Sequence, residues 1–148
     1  MRDCWRRVQR ILSSRTGSAN VAKVEIAIVD DDEAVRESLS GVMRSIGFSV
    51  NTFSSGESFL RSNRLGRTAC LIADVHMPGM TGIELHHRLV ASGNTVPTIL
   101  ITAYVDEKVK AQALKAGVAC YLPKTIDESK LLACIHSAIG DQKADKTR

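Results

Sequence analysis

Short apolar runs alternate with amphipathic segments from about residue 24 to residue 140. A continuous run of apolar or small residues predicts a buried strand, whereas apolar positions three and four residues apart predict a helix with one buried face. The predicted strands are Val24–Val29, Phe48–Phe53, Cys70–Ala73, Pro97–Ile101 and Val118–Leu122. The predicted helices are Asp32–Ile46, Ser55–Ser62, Gly82–Ala91, Asp106–Ala116 and Asp127–Ile139.

Capping residues mark several of the predicted helix ends. Asp32 suits the N-cap of the first helix because its side chain can accept a hydrogen bond from an unpaired backbone N–H. Glycines follow the first, fourth and last helices, and we expect these helices to end at Gly47, Gly117 and Gly140. Five β/α repeats with short loops predict an α/β fold, a doubly wound parallel sheet with helices on both faces. Right-handed crossovers then bring the carboxyl ends of all five strands to one rim.

Charge is spread unevenly over the 148 residues, which are enough for one domain with short tails. Residues 1–23 carry a net charge of +5, whereas residues 24–140 carry −2. We therefore divide the chain into a basic N-terminal arm (1–22), a domain (23–140) and a C-terminal tail (141–148). The arm fits a short basic amphipathic helix that contacts nucleic acid, an acidic membrane surface or a partner. A frayed, disordered extension is the simpler interpretation of the same pattern.

The remaining composition favours a cytoplasmic protein. No apolar run approaches the roughly 18–20 residues that a membrane span needs, and no apolar segment of the signal-peptide type follows the first arginines. The cysteines lie far apart, without the spacing of zinc ligands, at Cys4, Cys70, Cys120 and Cys134. We therefore expect free thiols in a reducing compartment rather than disulfides.

Carboxylates follow two of the predicted strands where those strands reach the rim. Asp30 and Asp31 come after the first strand, and Asp74 comes after the third. If these strands are neighbours, the three carboxylates lie close together and repel one another. Mg²⁺ would offset that repulsion, because it prefers carboxylate oxygens and retained waters. Taken alone, Asp74 equally fits a loop residue that forms an Asx turn.

Four motifs in order at the strand ends closely resemble the receiver domain of two-component response regulators. They are Val29-Asp30-Asp31-Asp32, Asp74-Val75-His76-Met77-Pro78-Gly79-Met80-Thr81-Gly82, Leu100-Ile101-Thr102-Ala103 and Tyr121-Leu122-Pro123-Lys124. The resemblance extends from about Val24 to Gly140. It implies a flavodoxin-like, three-layer (βα)5 fold with the strand order 2-1-3-4-5.

The resemblance also implies roles for single residues. Asp74 would accept a phosphoryl group from a sensor histidine kinase or a histidine phosphotransfer protein. Asp31 and Asp74 would bind Mg²⁺ together with the backbone carbonyl of His76, and Asp30 would assist through water. The module would catalyse only its own phosphorylation and dephosphorylation, so it is not expected to be an enzyme in the ordinary sense.

The same resemblance implies a switch. Lys124 would pair with the bound phosphoryl group, Thr102 would move to hydrogen-bond it, and the Tyr121 side chain would follow that movement. The helix after Thr102, the fifth strand and the last helix would form the face that changes for partners, including a phosphorylation-dependent homodimer. Nucleic acid would bind only through the basic arm or through an output domain outside this sequence.

Two features depart from the family or compete with it. Receivers usually carry a cis proline after the lysine, whereas this chain has Thr125, so we expect either a strained cis bond or a trans bond with Lys124 displaced. The segment Asp30-Asp31-Asp32 also fits a Mg²⁺-dependent phosphatase of the haloacid-dehalogenase type with Asp30 as its nucleophile. That alternative leaves Asp74 and the turn after it unexplained.

Overall fold

The computed structural model describes the backbone of residues 24–146 and the side chains of residues 24–140. Five parallel strands form one sheet in the order β2-β1-β3-β4-β5, so the predicted fold and strand order are confirmed. The strands are β1 (Glu25–Val29), β2 (Ser49–Phe53), β3 (Thr68–Asp74), β4 (Thr98–Thr102) and β5 (Cys120–Pro123). The helices are α1 (Glu33–Ile46), α2 (Gly56–Arg61), α3 (Gly82–Ala91), α4 (Glu107–Lys115) and α5 (Glu128–Lys146).

Side chains that alternate along each strand build two cores on opposite faces of the sheet. On β1, Ile26 and Ile28 pack towards α1 and α5, whereas Ala27 and Val29 pack towards α2, α3 and α4. β3 and β4 are buried on both faces, which explains their nearly continuous apolar sequence. The two cores fix the strand ends, and those ends position the polar side chains at the rim.

The caps of α1 form as predicted. The Asp32 side chain accepts a hydrogen bond from the Ala34 N–H, and Gly47 adopts the left-handed conformation with φ of 116°. The predicted end of α5 at Gly140 is wrong, since the helix continues to Lys146. A single glycine costs a helix only about 1 kcal/mol, and the residues that follow include good helix formers.

Residues 1–23, which include the predicted basic arm, lie outside the described part of the chain. The division into arm, domain and tail stays a prediction. Within residues 24–146, no helix is both long enough and apolar enough to cross a membrane.

The expectation of free thiols is wrong for one pair of cysteines. Cys120 on β5 and Cys134 on α5 are joined as a disulfide, with Cα atoms 6.3 Å apart. The pairing arises because both residues lie on the sheet face that α5 covers. Cys70 is a free buried thiol, and burial raises its pKa to about 12.

Candidate functional site

Three carboxylates and one ammonium group meet at the carboxyl ends of β1 and β3, and we call Asp30, Asp31, Asp74 and Lys124 the acidic corner. β1 and β3 are adjacent, so Asp30 and Asp74 extend from neighbouring strands. Oxygen atoms of the three carboxylates lie within 4.8 Å of one another. Asp30 and Asp74 are buried, whereas Asp31 is exposed. The structure thus brings together the carboxylates that the sequence placed at the strand ends.

Lys124 lies between two of these carboxylates. Its Nζ atom is 2.9 Å from Asp74 Oδ2 and 3.2 Å from Asp30 Oδ2. Its backbone N–H donates to the Thr102 carbonyl at 2.7 Å, which extends the pairing of β4 and β5 past Pro123. No cis peptide bond occurs among the described residues, so the bond to Thr125 is trans. Lys124 nevertheless contacts Asp74, so the trans bond does not displace it from the acidic corner, contrary to expectation.

The buried carboxylate of Asp30 is only partly satisfied. Its Oδ1 atom accepts a hydrogen bond from the Asp32 N–H at 2.9 Å. Its Oδ2 atom, with the Lys124 ammonium beside it as an ion-pair partner, accepts no hydrogen bond from the described residues. Burial raises the pKa of Asp30 above its usual value, and the charge of Asp74 adds to that increase.

Burial and ion pairing act in opposite directions on the pKa of Lys124. Partial burial alone would lower its pKa. The contacts with Asp74 and Asp30 more than offset this effect, so the pKa of Lys124 is raised overall. The ammonium group therefore stays charged at neutral pH and partly neutralises the two buried carboxylates.

The donor set of the acidic corner fits a hard divalent cation such as Mg²⁺. All the side-chain ligands in this cluster are carboxylate oxygens, and the buried Asp30 Oδ2 accepts no hydrogen bond from the residues that the structure describes. The backbone of His76 is also adjacent, since its N–H donates to Asp74 Oδ1 at 3.2 Å. The His76 side chain itself is exposed.

Two hydroxyl groups further along the rim hold a single loop, and we call Thr102 and Tyr121 the hydroxyl corner. The Thr102 hydroxyl donates to the Tyr104 carbonyl at 3.0 Å and accepts from the Tyr104 N–H at 3.2 Å. The Tyr121 hydroxyl accepts from the N–H of Asp106, the N-cap of α4, at 3.3 Å. Both side chains are buried. Both residues predicted as switch elements therefore fasten residues 103–106.

Sequence reasoning did not assign two further contributors to the acidic corner. A Cβ atom on Gly82 would lie 2.5 Å from the carbonyl oxygen of Asp74, so the start of α3 packs directly on the end of β3. The Arg36 side chain donates to the Asp30 carbonyl at 2.6 Å. The glycine at the end of the turn motif was a usable signal for such a close approach. The sequence around Arg36 contained no such signal.

Comparison with known proteins identifies a family and several proteins that this chain resembles. A family model described as the response regulator receiver domain matches residues 26–136. The response regulator protein TodT of Pseudomonas putida is 40% identical over 114 residues, which cover 77% of this chain and 50% of TodT. The chain thus spans about half the length of the curated relatives that it matches.

Solved structures of response regulators also resemble this chain. The response regulator StyR is 39% identical with a TM-score of 0.76, and the match covers 85% of this chain and 66% of StyR. The crystal structure of FixJ-N is 31% identical with a TM-score of 0.71, and the match covers 79% of this chain and 94% of FixJ-N. None of these matches supports the phosphatase alternative. The chain belongs to the receiver-domain family of two-component response regulators.

Proposed function

We propose that this chain accepts a phosphoryl group on Asp74 from a phosphohistidine, carried by a sensor histidine kinase or a histidine phosphotransfer protein. The observation that carries the proposal is the environment of Asp74. Its carboxylate lies at the rim of the sheet, 2.9 Å from the Lys124 ammonium and within the cluster formed with Asp30 and Asp31. An acyl phosphate formed there would replace one carboxylate charge with a doubly charged group beside a fixed cation.

In the proposed transfer, a carboxylate oxygen of Asp74 attacks the phosphorus atom of the donor. The phosphorus–nitrogen bond breaks, and the imidazole of the donor keeps the electron pair and takes up a proton. Lys124 then pairs with a phosphoryl oxygen. Asp31, Asp74 and the backbone carbonyl of His76 would hold Mg²⁺, and Asp30 would assist through water. When bound there, the ion would neutralise charge on the phosphoryl oxygens.

The response would begin at the hydroxyl corner. Thr102 exchanges its hydrogen bonds with the Tyr104 backbone for one to the phosphoryl group, and the Tyr121 side chain adjusts as residues 103–106 move. Because this loop leads into α4, the movement reaches the face formed by α4, β5 and α5. Leu114 on α4 is an exposed apolar side chain there, which suits contact with a partner or a second copy.

In this function the chain acts as a cytoplasmic signalling module. Asp74 takes up one phosphoryl group and later loses it to water, so no separate substrate is turned over. Partners would recognise the phosphorylated face rather than a product.

The test uses acetyl phosphate and Mg²⁺ with intact-mass detection, and it compares Asp74→Asn with Asp30→Asn. We expect one phosphoryl adduct on the wild-type chain, none on Asp74→Asn, and a slower adduct on Asp30→Asn. Asp30→Asn is the matched control because it removes a neighbouring buried carboxylate and is the variant that would inactivate a phosphatase. Hydrolysis of phosphate esters over many turnovers by Asp74→Asn would contradict the proposal.

A further inference from the structure

Cys120 and Cys134 form a pair that the phosphorylation site does not use. Their Cα atoms are 6.3 Å apart, within the range that a disulfide spans without backbone movement. Both side chains are half-buried, so a small reagent can approach them after a modest local opening. Cys70, in contrast, is fully buried with a pKa raised to about 12, which makes it unreactive.

The position of the pair connects it to the switch residues. Cys120 is the first residue of β5 and immediately precedes Tyr121, whose hydroxyl holds the Asp106 amide on the other face of the sheet. The same strand leads to Lys124, which contacts Asp74. Cys134 lies on α5, between the core residues Leu131 and Ile135. A bond between the two sulfur atoms therefore ties α5 to the strand that carries the switch tyrosine.

We propose that Cys120 and Cys134 are a reversible redox modification site, and that their oxidation restrains the α4–β5–α5 face against the change that phosphorylation drives. The first part rests on the cysteine geometry and on the cytoplasmic location proposed above, and the second rests on the proposed function. Disulfides in reducing compartments are mostly transient redox sensors or catalytic pairs, which fits a reversible bond. With the bond formed, β5 and α5 move as one body, so loop 103–106 can shift only against a fixed strand.

The oxidant is a small disulfide such as oxidised glutathione. One cysteine thiolate attacks it, forms a mixed disulfide and releases one glutathione thiolate. The second cysteine thiolate attacks the protein sulfur of that mixed disulfide and releases the second glutathione thiolate. Each released thiolate takes up the proton that a protein thiol has lost. Two thiols are thereby oxidised, one small disulfide is reduced, and excess reduced glutathione reverses the reaction.

The first experiment measures the bond itself. The full chain is equilibrated with mixtures of reduced and oxidised glutathione, denatured, and alkylated with N-ethylmaleimide before intact-mass and peptide analysis. We expect oxidation to remove two alkylation sites, at Cys120 and Cys134, and dithiothreitol to restore both. Cys134→Ser should leave Cys120 without this cross-link. Cys4→Ser, the matched control, should lose the same two sites as the wild-type chain.

Either of two outcomes would overturn the first part of the proposal. Both thiols could stay alkylated across the whole range of glutathione mixtures, or the bond could persist in excess reduced glutathione. A bond that never forms is no site, and a bond that never opens is no switch.

The second experiment measures the response by hydrogen exchange. Peptides covering residues 104–123 and 128–140 are compared before and after acetyl phosphate, in the reduced and the oxidised chain. We expect the change in exchange to be several-fold smaller in the oxidised chain, and Cys134→Ser to respond fully under both conditions. Equal responses of the two forms, with Asp74 phosphorylated in both, would overturn the restraint. Absence of any adduct on Asp74 would instead overturn the proposed function and leave the first experiment intact.

Discussion

The acidic corner and the hydroxyl corner lie on the same rim, but their polar side chains differ in how completely they are hydrogen-bonded. In the acidic corner, the buried Asp30 Oδ2 atom lies beside the Lys124 ammonium but accepts no hydrogen bond within the described part of the chain, and the pKa of Asp30 is raised. In the hydroxyl corner, the Thr102 and Tyr121 hydroxyls already hydrogen-bond the backbone of one loop. Under the proposed function, the first corner would gain a ligand, whereas the second would have to give up existing hydrogen bonds before it could respond.

This difference sets the energetic condition for switching. A hydrogen bond to a charged group contributes about 1.5–3 kcal/mol, compared with about 1 kcal/mol for a neutral one. If Asp74 is phosphorylated as proposed, the phosphoryl group would offer Thr102 a stronger acceptor than the Tyr104 carbonyl does. Without the phosphoryl group, the hydroxyls of Thr102 and Tyr121 keep their hydrogen bonds to the loop, as the structure shows.

The largest expected effect comes from removing the cation of the acidic corner. Lys124→Ala leaves the buried carboxylates of Asp30 and Asp74 facing each other, so we expect the free energy of unfolding to fall by about 2–3 kcal/mol without Mg²⁺. Mg²⁺ should restore part of this loss. Urea unfolding with and without Mg²⁺ measures both. The exposed Lys130→Ala is the control, and equal behaviour of the two variants would show that the ion pairs are unimportant.

A smaller loss is expected in the hydroxyl corner. Thr102→Val keeps the shape of a fully buried side chain but removes the hydroxyl that bonds Tyr104, so unfolding should become easier by about 1–2 kcal/mol. The phosphoryl adduct should still form, while the change in hydrogen exchange across residues 103–106 should be lost. The control is Thr52→Val on an exposed position of β2. If the loop still responds in Thr102→Val, the hydroxyl is not the contact that senses the phosphoryl group.

Asp30→Asn should act in the opposite direction, raising the free energy of unfolding by about 1 kcal/mol at neutral pH without Mg²⁺. The pKa of Asp30 is raised above 3.8 in the folded protein, so the contribution of this carboxyl to stability is complete below pH 3.8 and is lost as the pH rises through the folded value. The side chain introduced by Asp30→Asn does not ionise in this pH range, so the variant does not lose stability in this way.

The difference in the free energy of unfolding between Asp30→Asn and the wild-type chain should therefore increase as the pH rises from 3.8 and be largest near neutrality. Urea unfolding of both proteins between acidic and neutral pH measures it. A difference that stays constant with pH would mean that burial of the Asp30 charge is not its cause. Asp30→Asn should also weaken any stabilisation by Mg²⁺.

The smallest effect is expected for Tyr121→Phe. The hydrogen bond that this change removes is 3.3 Å long, so we expect a loss of only about 0.5 kcal/mol. Hydrogen exchange at Asp106 and the first turn of α4 should be faster, while Asp74 phosphorylation is unchanged. Unaltered exchange there would show that Tyr121 does not hold the loop.

The sequence predicts the fold well because its signals are local. Apolar runs mark the strands, and Asp32 and Gly47 mark the ends of α1 through backbone chemistry that requires nothing distant. Gly140 misleads because a glycine ends a helix only where the backbone turns left-handed, as it does at Gly47 and does not at Gly140.

The site is predictable only in part. Adjacent strand ends bring Asp30 and Asp74 together, as expected from the order of polar residues. The sequence cannot tell that Lys124 reaches both carboxylates through a trans peptide, or that Thr102 and Tyr121 hold one loop, because these contacts depend on side-chain conformations. The cysteine pair was predicted wrongly as free thiols, because the sequence does not show that Cys134 on α5 packs against the face of the sheet that carries Cys120.

Gly82 limits how the acidic corner can change by mutation. Any side chain at this position would collide with the carbonyl of Asp74 and with Leu100, so α3 would have to move away from the strand that carries Asp74. We expect such variants to lose the proposed phosphorylation through misplacement of Asp74, although every reacting group would remain present. Under the proposed function, we expect variation in the lifetime or the partner of the phosphorylated form to arise at exposed positions of the same rim, such as His76 and Tyr104, where side chains face solvent.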